Sequence, residues 1–245
     1  MLSLRSWPSE VVTIILHTDQ LIINWIKPHK KSSTYKGLPS FELKAHQAIT
    51  LETTACNQAQ IFNLTVLKTH INTFLKTHKI KNAPVAMALS MHDVIEQFVA
   101  SAIATPDKNN FTFLSSGNLV WDYLYLYPHD DGTFTFYVCG IKQEQLLQYK
   151  LLAISANLQL KALLTSRMAL LQLYRLVQGP AFRHSQLAVT MQRNNNNIDQ
   201  LLGTEVIHRL LTIGKNISIN FSQQAPHLRT SLGLVLSSDL YERTS

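Results

Sequence analysis

Ten histidines, two cysteines and fifteen carboxylates are the side chains of this 245-residue chain that could bind a metal or move a proton. A metal site needs three or four such ligands converging on one point, and short spacings such as His-x-x-x-His are the usual sign of it. The histidines show neither that spacing nor His-x-His; His70 and His78 lie two helical turns apart, too far for one ion. Cys56 and Cys139 lack metal-ligand spacing and suit a reducing compartment, with Cys56 in a loop and Cys139 in a strand. No Gly-x-Ser-x-Gly is present, and Asp130-Asp131-Gly132 pairs its carboxylates inside turn chemistry. Phosphate binding needs glycines that let backbone N–H groups approach closely, yet no Walker or dinucleotide glycine pattern occurs. Nothing nominates a general acid and base, so the sequence predicts a protein that is not an enzyme, with no cofactor and no metal.

What remains is a surface that could bind. Trp121, Tyr123, Tyr125 and Tyr127 alternate with Val120, Asp122, Leu124 and Leu126, so a strand over 119–127 would set four aromatic side chains on one face. Such a face either packs on a neighbouring helix, with 143–157 the candidate, or forms a groove for an extended or helical peptide, because Tyr and Trp give contact area with little entropy loss. RNA stacking would want glycine and basic residues interleaved, which these strands lack.

The elements that would hold this row follow from periodicity. Asp130-Asp131-Gly132 tolerates positive φ and predicts a hairpin returning along 134–141. From Gln143 the period turns helical, with Leu147, Leu151 and Ile154 as the apolar stripe to Asn157. A short strand over 158–164 precedes a helix capped by Ser166, with Leu170, Tyr174 and Val177 on one side and Gly179-Pro180 as its stop. Upstream, 11–19, 21–27 and 41–49 read as strands, 51–62 as a polar linker, 65–80 as a helix with Leu67, Ile71 and Phe74 inward, and 85–89 and 94–103 as extended. Downstream, 187–191 reads as a strand, 194–197 as a polar turn, 204–213 as a helix, 217–221 as a strand, and 230–236 as part of a closing helix.

Trp121-Asp122-Tyr123, the hairpin, Cys139-Gly140-Ile141-Lys142, an amphipathic helix, Leu160-Lys161-Ala162-Leu163-Leu164 and a further helix together resemble the core of the PilM family, and its short HofM-like relatives in particular. Those are actin-like cytoplasmic assembly proteins of type IV pili. The resemblance implies an α/β (α+β) fold with ribonuclease H-like lobes: a first lobe over 1–183 with an inserted strand and helix subdomain at about 84–165, and a reduced second lobe over 184–245. It also implies a scaffold of pilus or competence machinery, peripheral to the inner membrane, that holds the cytoplasmic N-terminal peptide of a single-span, PilN-like partner; Trp121, Tyr123, Tyr125 and Tyr127 are the residues expected to bind it. An ATP-binding actin-fold protein and a type II secretion component are the alternatives of the same descent. The phosphate positions depart from the family: only Asp19, in His17-Thr18-Asp19-Gln20, approximates its acidic residue, and 187–193 contains neither Asp nor Gly. ATP is therefore implied by resemblance alone. The family's long helix before its Asp-Tyr strand is replaced here by Thr105-Pro106-Asp107-Lys108-Asn109-Asn110 and Phe111-Thr112-Phe113.

Composition agrees with a folded domain, 46% apolar and 15% charged. No apolar run is long enough to span a bilayer and no signal peptide is visible, which predicts a cytoplasmic protein. The net charge of +7 raises the alternative of a basic nucleic-acid-binding module. Its densest cluster, Lys27, Lys30, Lys31 and Lys36 with Pro28, Ser32 and Ser33, reads instead as a solvated hairpin loop able to graze anionic lipids, and no nucleic-acid partner is expected.

Overall fold

A computed structural model describes residues 8–17, 19–29, 35–57, 60–89, 94–115, 118–179 and 204–237. Val11–His17 (β1) is mostly apolar, and Val11 to Leu16 are all buried, the polar Thr13 included, which requires cover on both faces of the sheet. It pairs antiparallel with Gln20–Pro28 (β2), and β2 pairs antiparallel with Phe41–Thr50 (β3). On the other side of β1, Pro84–Leu89 (β6) runs parallel to it, and Gln159–Thr165 (β10) runs parallel to β6. The three opening strands expected over 11–19, 21–27 and 41–49 are thus present as one antiparallel run. The result is a mixed α/β fold around one sheet.

Helices form the outer layers. Leu64–Thr77 (α1) is capped by the Asn63 side chain, which accepts from the N–H groups of Thr65 and Val66, and it buries Leu67, Ile71 and Phe74. With Gln143–Ser155 (α2) it covers the sheet face carrying Val12, Ile14, Ile23 and Met87. Ser166–Gln178 (α3) covers the face carrying Ile15, Ile22 and Leu43, and buries Leu170, Tyr174 and Val177 before Gly179 turns at a φ of 55°. Its cap is Thr165 rather than Ser166, since the Thr165 hydroxyl accepts from the Met168 N–H.

Between β6 and α2 lies a second sheet, ordered Val94–Ser101 (β7), Phe134–Lys142 (β9), Leu119–Pro128 (β8) and antiparallel throughout. The turn before β9 has Gly132 at a φ of 81°, as Asp-Asp-Gly requires. The central sheet thus contains β6 and β10, and the insertion runs between them.

Residues 204–237 add to the same body. Thr204–Leu210 (α4) leads into Leu211–Ile213 (β11), parallel to β3 at the outer edge of the central sheet, and Phe221–Val235 (α5) lies beside α3 against β1 and β6. The helix expected to reach 213 stops at Leu210, because 211–213 finds an open strand edge. No strand forms over 217–221; Phe221 starts α5 instead. The expected strand 187–191, the turn 194–197 and residues 184–203 and 238–245 of the expected second lobe lie outside the described residues, as do Lys30 and Lys31.

Two other sequence readings change. Residues 51–62 contain a tight pair, Cys56–Asn57 (β4) and Gln60–Ile61 (β5), and bury Leu51, Ala55, Cys56 and Ile61 instead of forming a polar linker. In α2 the expected stripe is reversed: Leu147, Leu151 and Ile154 are 46%, 51% and 74% exposed, while Gln145, Tyr149, Leu152 and Ala153 face the core. The helix is apolar on both sides, so spacing alone could not choose its inner face.

Candidate functional site

Trp121, Tyr123 and Tyr125 project from β8 onto one face of the inserted sheet, as alternation requires. Tyr127 does not join them. The ladder with β9 shifts by one residue between Tyr125 and Tyr127, a bulge at Leu126 that turns Leu126 and Tyr127 both toward the main core under α3. Tyr127 is buried there, its ring 5.1 Å from that of His129.

The remaining three rings are not covered by α2, the helix expected over them. They pack on Phe136 and Val138 of β9 and on Phe111 and Leu114. Trp121 stacks on Tyr123 at 5.7 Å and 21°, and meets Phe111 edge-on at 5.8 Å; Tyr123 and Tyr125 stand edge-on to Phe136 at 5.6 and 5.8 Å. Phe111 and Leu114 are held by two single-turn helices, Lys108–Asn110 and Thr112–Leu114, started by Asp107, whose side chain accepts from the Asn109 N–H while Asn110 accepts from the Asp107 N–H. Gly140, opposite Trp121, makes room: a Cβ there would lie 2.7 Å from Leu114 Cδ2. The rings are packed beneath and partly exposed above.

The same strand is an edge of its sheet, and side chains from two elements reach its backbone. Lys108 Nζ donates to the Leu119 carbonyl at 3.2 Å, and Arg175 Nη1 of α3 donates to the Tyr125 carbonyl at 2.7 Å. Asp122 accepts from the Tyr123 N–H at 2.8 Å. Burial pushes the Arg175 guanidinium toward a lower pKa, partly opposed by Tyr125. Among the described residues no carboxylate pairs with it. Sequence reasoning missed both cations, since neither Lys108 nor Arg175 lies in a basic cluster.

The other candidates are placed apart from this surface. His17 ends β1 and meets His227 of α5 at 5.3 Å between ring centroids, so α5 closes over the end of β1. Beside them runs a buried chain: Thr13 Oγ1 and Asn24 Nδ2 donate to Ser231 Oγ at 2.9 and 2.8 Å, and His46 Nδ1 donates to Asn24 Oδ1 at 2.6 Å. Desolvation, with His17 and His46 adding like charge, pushes His227 down to about 4, and burial lowers His46. These groups tie α5 to the sheet. The expected second phosphate segment, 187–193, lies outside the described residues.

Cys56 and Cys139 are buried thiols, and burial pushes Cys139 up to about 12, the wrong direction for a nucleophile. Asp131 caps its own turn, accepting from the Thr133 N–H and hydroxyl, which hold its pKa low. A cavity of about 160 Å³ between the end of α1 and the starts of β6 and β10 is lined by Leu75, Ile80, Asn82, Asn157 and Gln159 among others, and carries no titratable group. Among the described residues no three His, Cys, Asp or Glu converge on a metal position, and no helix is long and apolar enough to cross a membrane.

No protein-family model and no curated protein matches this chain. Solved structures do. A PilM-PilN type IV pilus biogenesis complex is 15% identical over 66% of this chain and 49% of its own, with a TM-score of 0.49. The cytoplasmic domain of EpsL, an inner-membrane component of the type II secretion system of Vibrio cholerae, is 13% identical over 66% of this chain and 57% of its own, at 0.41. RuvC of Thermus thermophilus is 9% identical over 93% and 91%, at 0.40. This chain therefore spans about half the length of the first two, by the same 49% and 57%. All three TM-scores fall below 0.5, so the fold class rests on the strand order and register of this chain.

Proposed function

We propose that this protein is a non-enzymatic scaffold of a type IV pilus, competence or related secretion machine, working in the cytoplasm at the inner membrane. It holds the cytoplasmic N-terminal segment of a single-span, PilN-like membrane protein. The observation that carries the reading is the row Trp121, Tyr123 and Tyr125, which is half-exposed although it has a rigid floor of Phe111, Leu114 and Phe136. Aromatic rings fixed from below and open above offer contact area without the ordering cost of flexible side chains, which is how a small surface can grip a peptide. The resemblance in residue order to the PilM core supplies the class of partner.

Calorimetric titration of the protein with a synthetic N-terminal peptide of that partner, with and without ATP and magnesium, tests it. Saturable binding that ignores ATP and is lost in Trp121→Ala supports the scaffold. Binding only with ATP would favour a nucleotide-dependent actin-fold protein, and no binding by a folded sample would remove the assigned role.

A further inference from the structure

We propose that the outer edge of β8 at Trp121 adds a short extended segment of the partner protein as a further strand, and that a carboxylate of that segment pairs with Arg175. This rests on the partner-binding reading of the aromatic row and adds how the segment is held and what chemistry it carries.

The phase of the ladder fixes which backbone groups are turned outward. The Gln143 N–H donates to the Asn118 carbonyl at 3.1 Å, so residue 118 bonds inward to the β9 side. In an antiparallel pair this alternates, which turns 120, 122 and 124 inward and 119, 121, 123 and 125 outward. The side-chain contacts agree: Lys108 reaches the carbonyl of 119, Asp122 the N–H of 123 and Arg175 the carbonyl of 125. Each blocks one outward group, as side chains on natural edge strands do to prevent indiscriminate pairing. Between them the N–H and C=O of Trp121 form an open docking pair, flanked by the carbonyl of Tyr123. The opening suits a segment of a few residues and refuses a long strand.

Charge selects the occupant. Arg175 is half-buried, and its bond among the described residues is to a neutral carbonyl. A guanidinium satisfies a carboxylate with two parallel bonds, a stronger arrangement than a carbonyl contact. Lys108 places a second cation at the other end of the edge, and the whole chain is positive at +7. Asp122 at the centre repels a carboxylate there, so the acidic residue of the segment falls at the Arg175 end. A second copy of this chain is a poorer occupant because it brings the same net charge.

The test uses the full chain labelled with 15N and three probes: acetyl-Thr-Val-Thr-Val-Glu-amide, the same peptide with Gln for Glu, and the Glu peptide N-methylated at alternate residues. The partner's N-terminal peptide is titrated in parallel. The Glu peptide is expected to shift the Trp121 amide and slow its hydrogen exchange. Replacing Glu by Gln is expected to weaken binding about tenfold, the value of one charged hydrogen bond, and Arg175→Lys to remove most of that discrimination. N-methylation is expected to abolish binding. If the partner peptide binds and shifts only the aromatic side chains, or N-methylated and Glu peptides bind alike, the edge pairing is overturned while the partner-binding face stands. If no peptide moves any β8 resonance of the folded protein, both fall. Shifts at Trp121 that grow with protein concentration alone would overturn the proposal in favour of self-association.

Discussion

Glu96 of β7 takes Arg167 Nη1 on one carboxylate oxygen and the Tyr137 hydroxyl on the other, so one carboxylate joins the inserted sheet to the first turn of α3. Both partners are mostly buried, with side-chain exposures of 19% for Arg167 and 15% for Glu96. Two turns further along, Arg175 makes the second tie to the same sheet through the Tyr125 carbonyl. These two arginines tie α3 to the inserted sheet beside the apolar packing of Leu126, Tyr127 and Tyr137.

Removing the carboxylate should therefore loosen the insertion more than the body. Glu96→Ala leaves a guanidinium and a hydroxyl without their shared acceptor, and a loss of about 1–3 kcal/mol in unfolding free energy is expected. Hydrogen exchange should accelerate in β7 and β8 while β1 and β6 keep their protection.

The α3 and α5 helices cross at one point without a side chain between them. A Cβ on Gly233 would lie 1.9 Å from the Ala169 carbonyl oxygen, so Gly233→Ala must push the helices apart. A destabilisation of about 3 kcal/mol, at the upper end of what overpacking costs, is expected in urea unfolding.

The two faces of α2 should respond oppositely to mutation. Leu151→Gln and Ile154→Gln act on exposed positions and should stay within about 0.5 kcal/mol of the parent. Tyr149→Ala empties a fully buried aromatic position and should cost about 3–5 kcal/mol. Similar losses on both faces would contradict the observed orientation.

Acid should weaken the hold of α5. In the folded protein His227 is held near 4 and His46 is also lowered, whereas in the unfolded chain both titrate near 6.5. Between those values the unfolded state binds more protons, so stability is full above about 6.5 and falls as the pH drops toward 4. The loss should be about 1–2 kcal/mol after allowance for partial solvent screening. Urea midpoints at pH 7.5 and 5.0 measure it, and His227→Gln should flatten the difference.

Neither thiol should react while the protein is folded. Cys56 and Cys139 are buried, with Cys139 held up near 12 and its Sγ 3.4 Å from Met168 Sδ. Labelling by a thiol reagent should proceed at the rate of unfolding and rise steeply in urea; fast labelling of one thiol in native buffer would place it at the surface.

The strands of the first sheet were legible because each carries its own signal. Val11 to Leu16 is a β-branched and apolar run broken only by Thr13, and Leu67, Ile71 and Phe74 keep a single helical stripe among polar neighbours. Where a segment offers two answers, the partner decides. Leu211 to Ile213 continues a helical pattern but becomes a strand because β3 presents an open edge, pairing Leu211 with Phe41 from the far end of the sequence. The inner face of α2 was hidden for a related reason: Tyr149 and Leu152 compete with Leu147 and Leu151 for the core. At the surface itself, alternation located Trp121, Tyr123 and Tyr125 on one face, but nothing in Tyr125-Leu126-Tyr127 announces the bulge that removes Tyr127. Arg175 and Lys108 were invisible, since an isolated cation gains its meaning only from the carbonyl it meets.

The sheet that begins with β1 is finished by β11, and the face of β1 is closed by Ser231 and His227 of α5. During synthesis the first strands leave the ribosome before α3 and α5, the two helices that cover that face, have been made. Contacts spanning more than two hundred residues, such as Thr13 with Ser231, cannot form progressively behind the growing chain. Until those helices arrive the apolar side of β1 and β2 is exposed on the growing chain, the condition under which aggregation competes with folding.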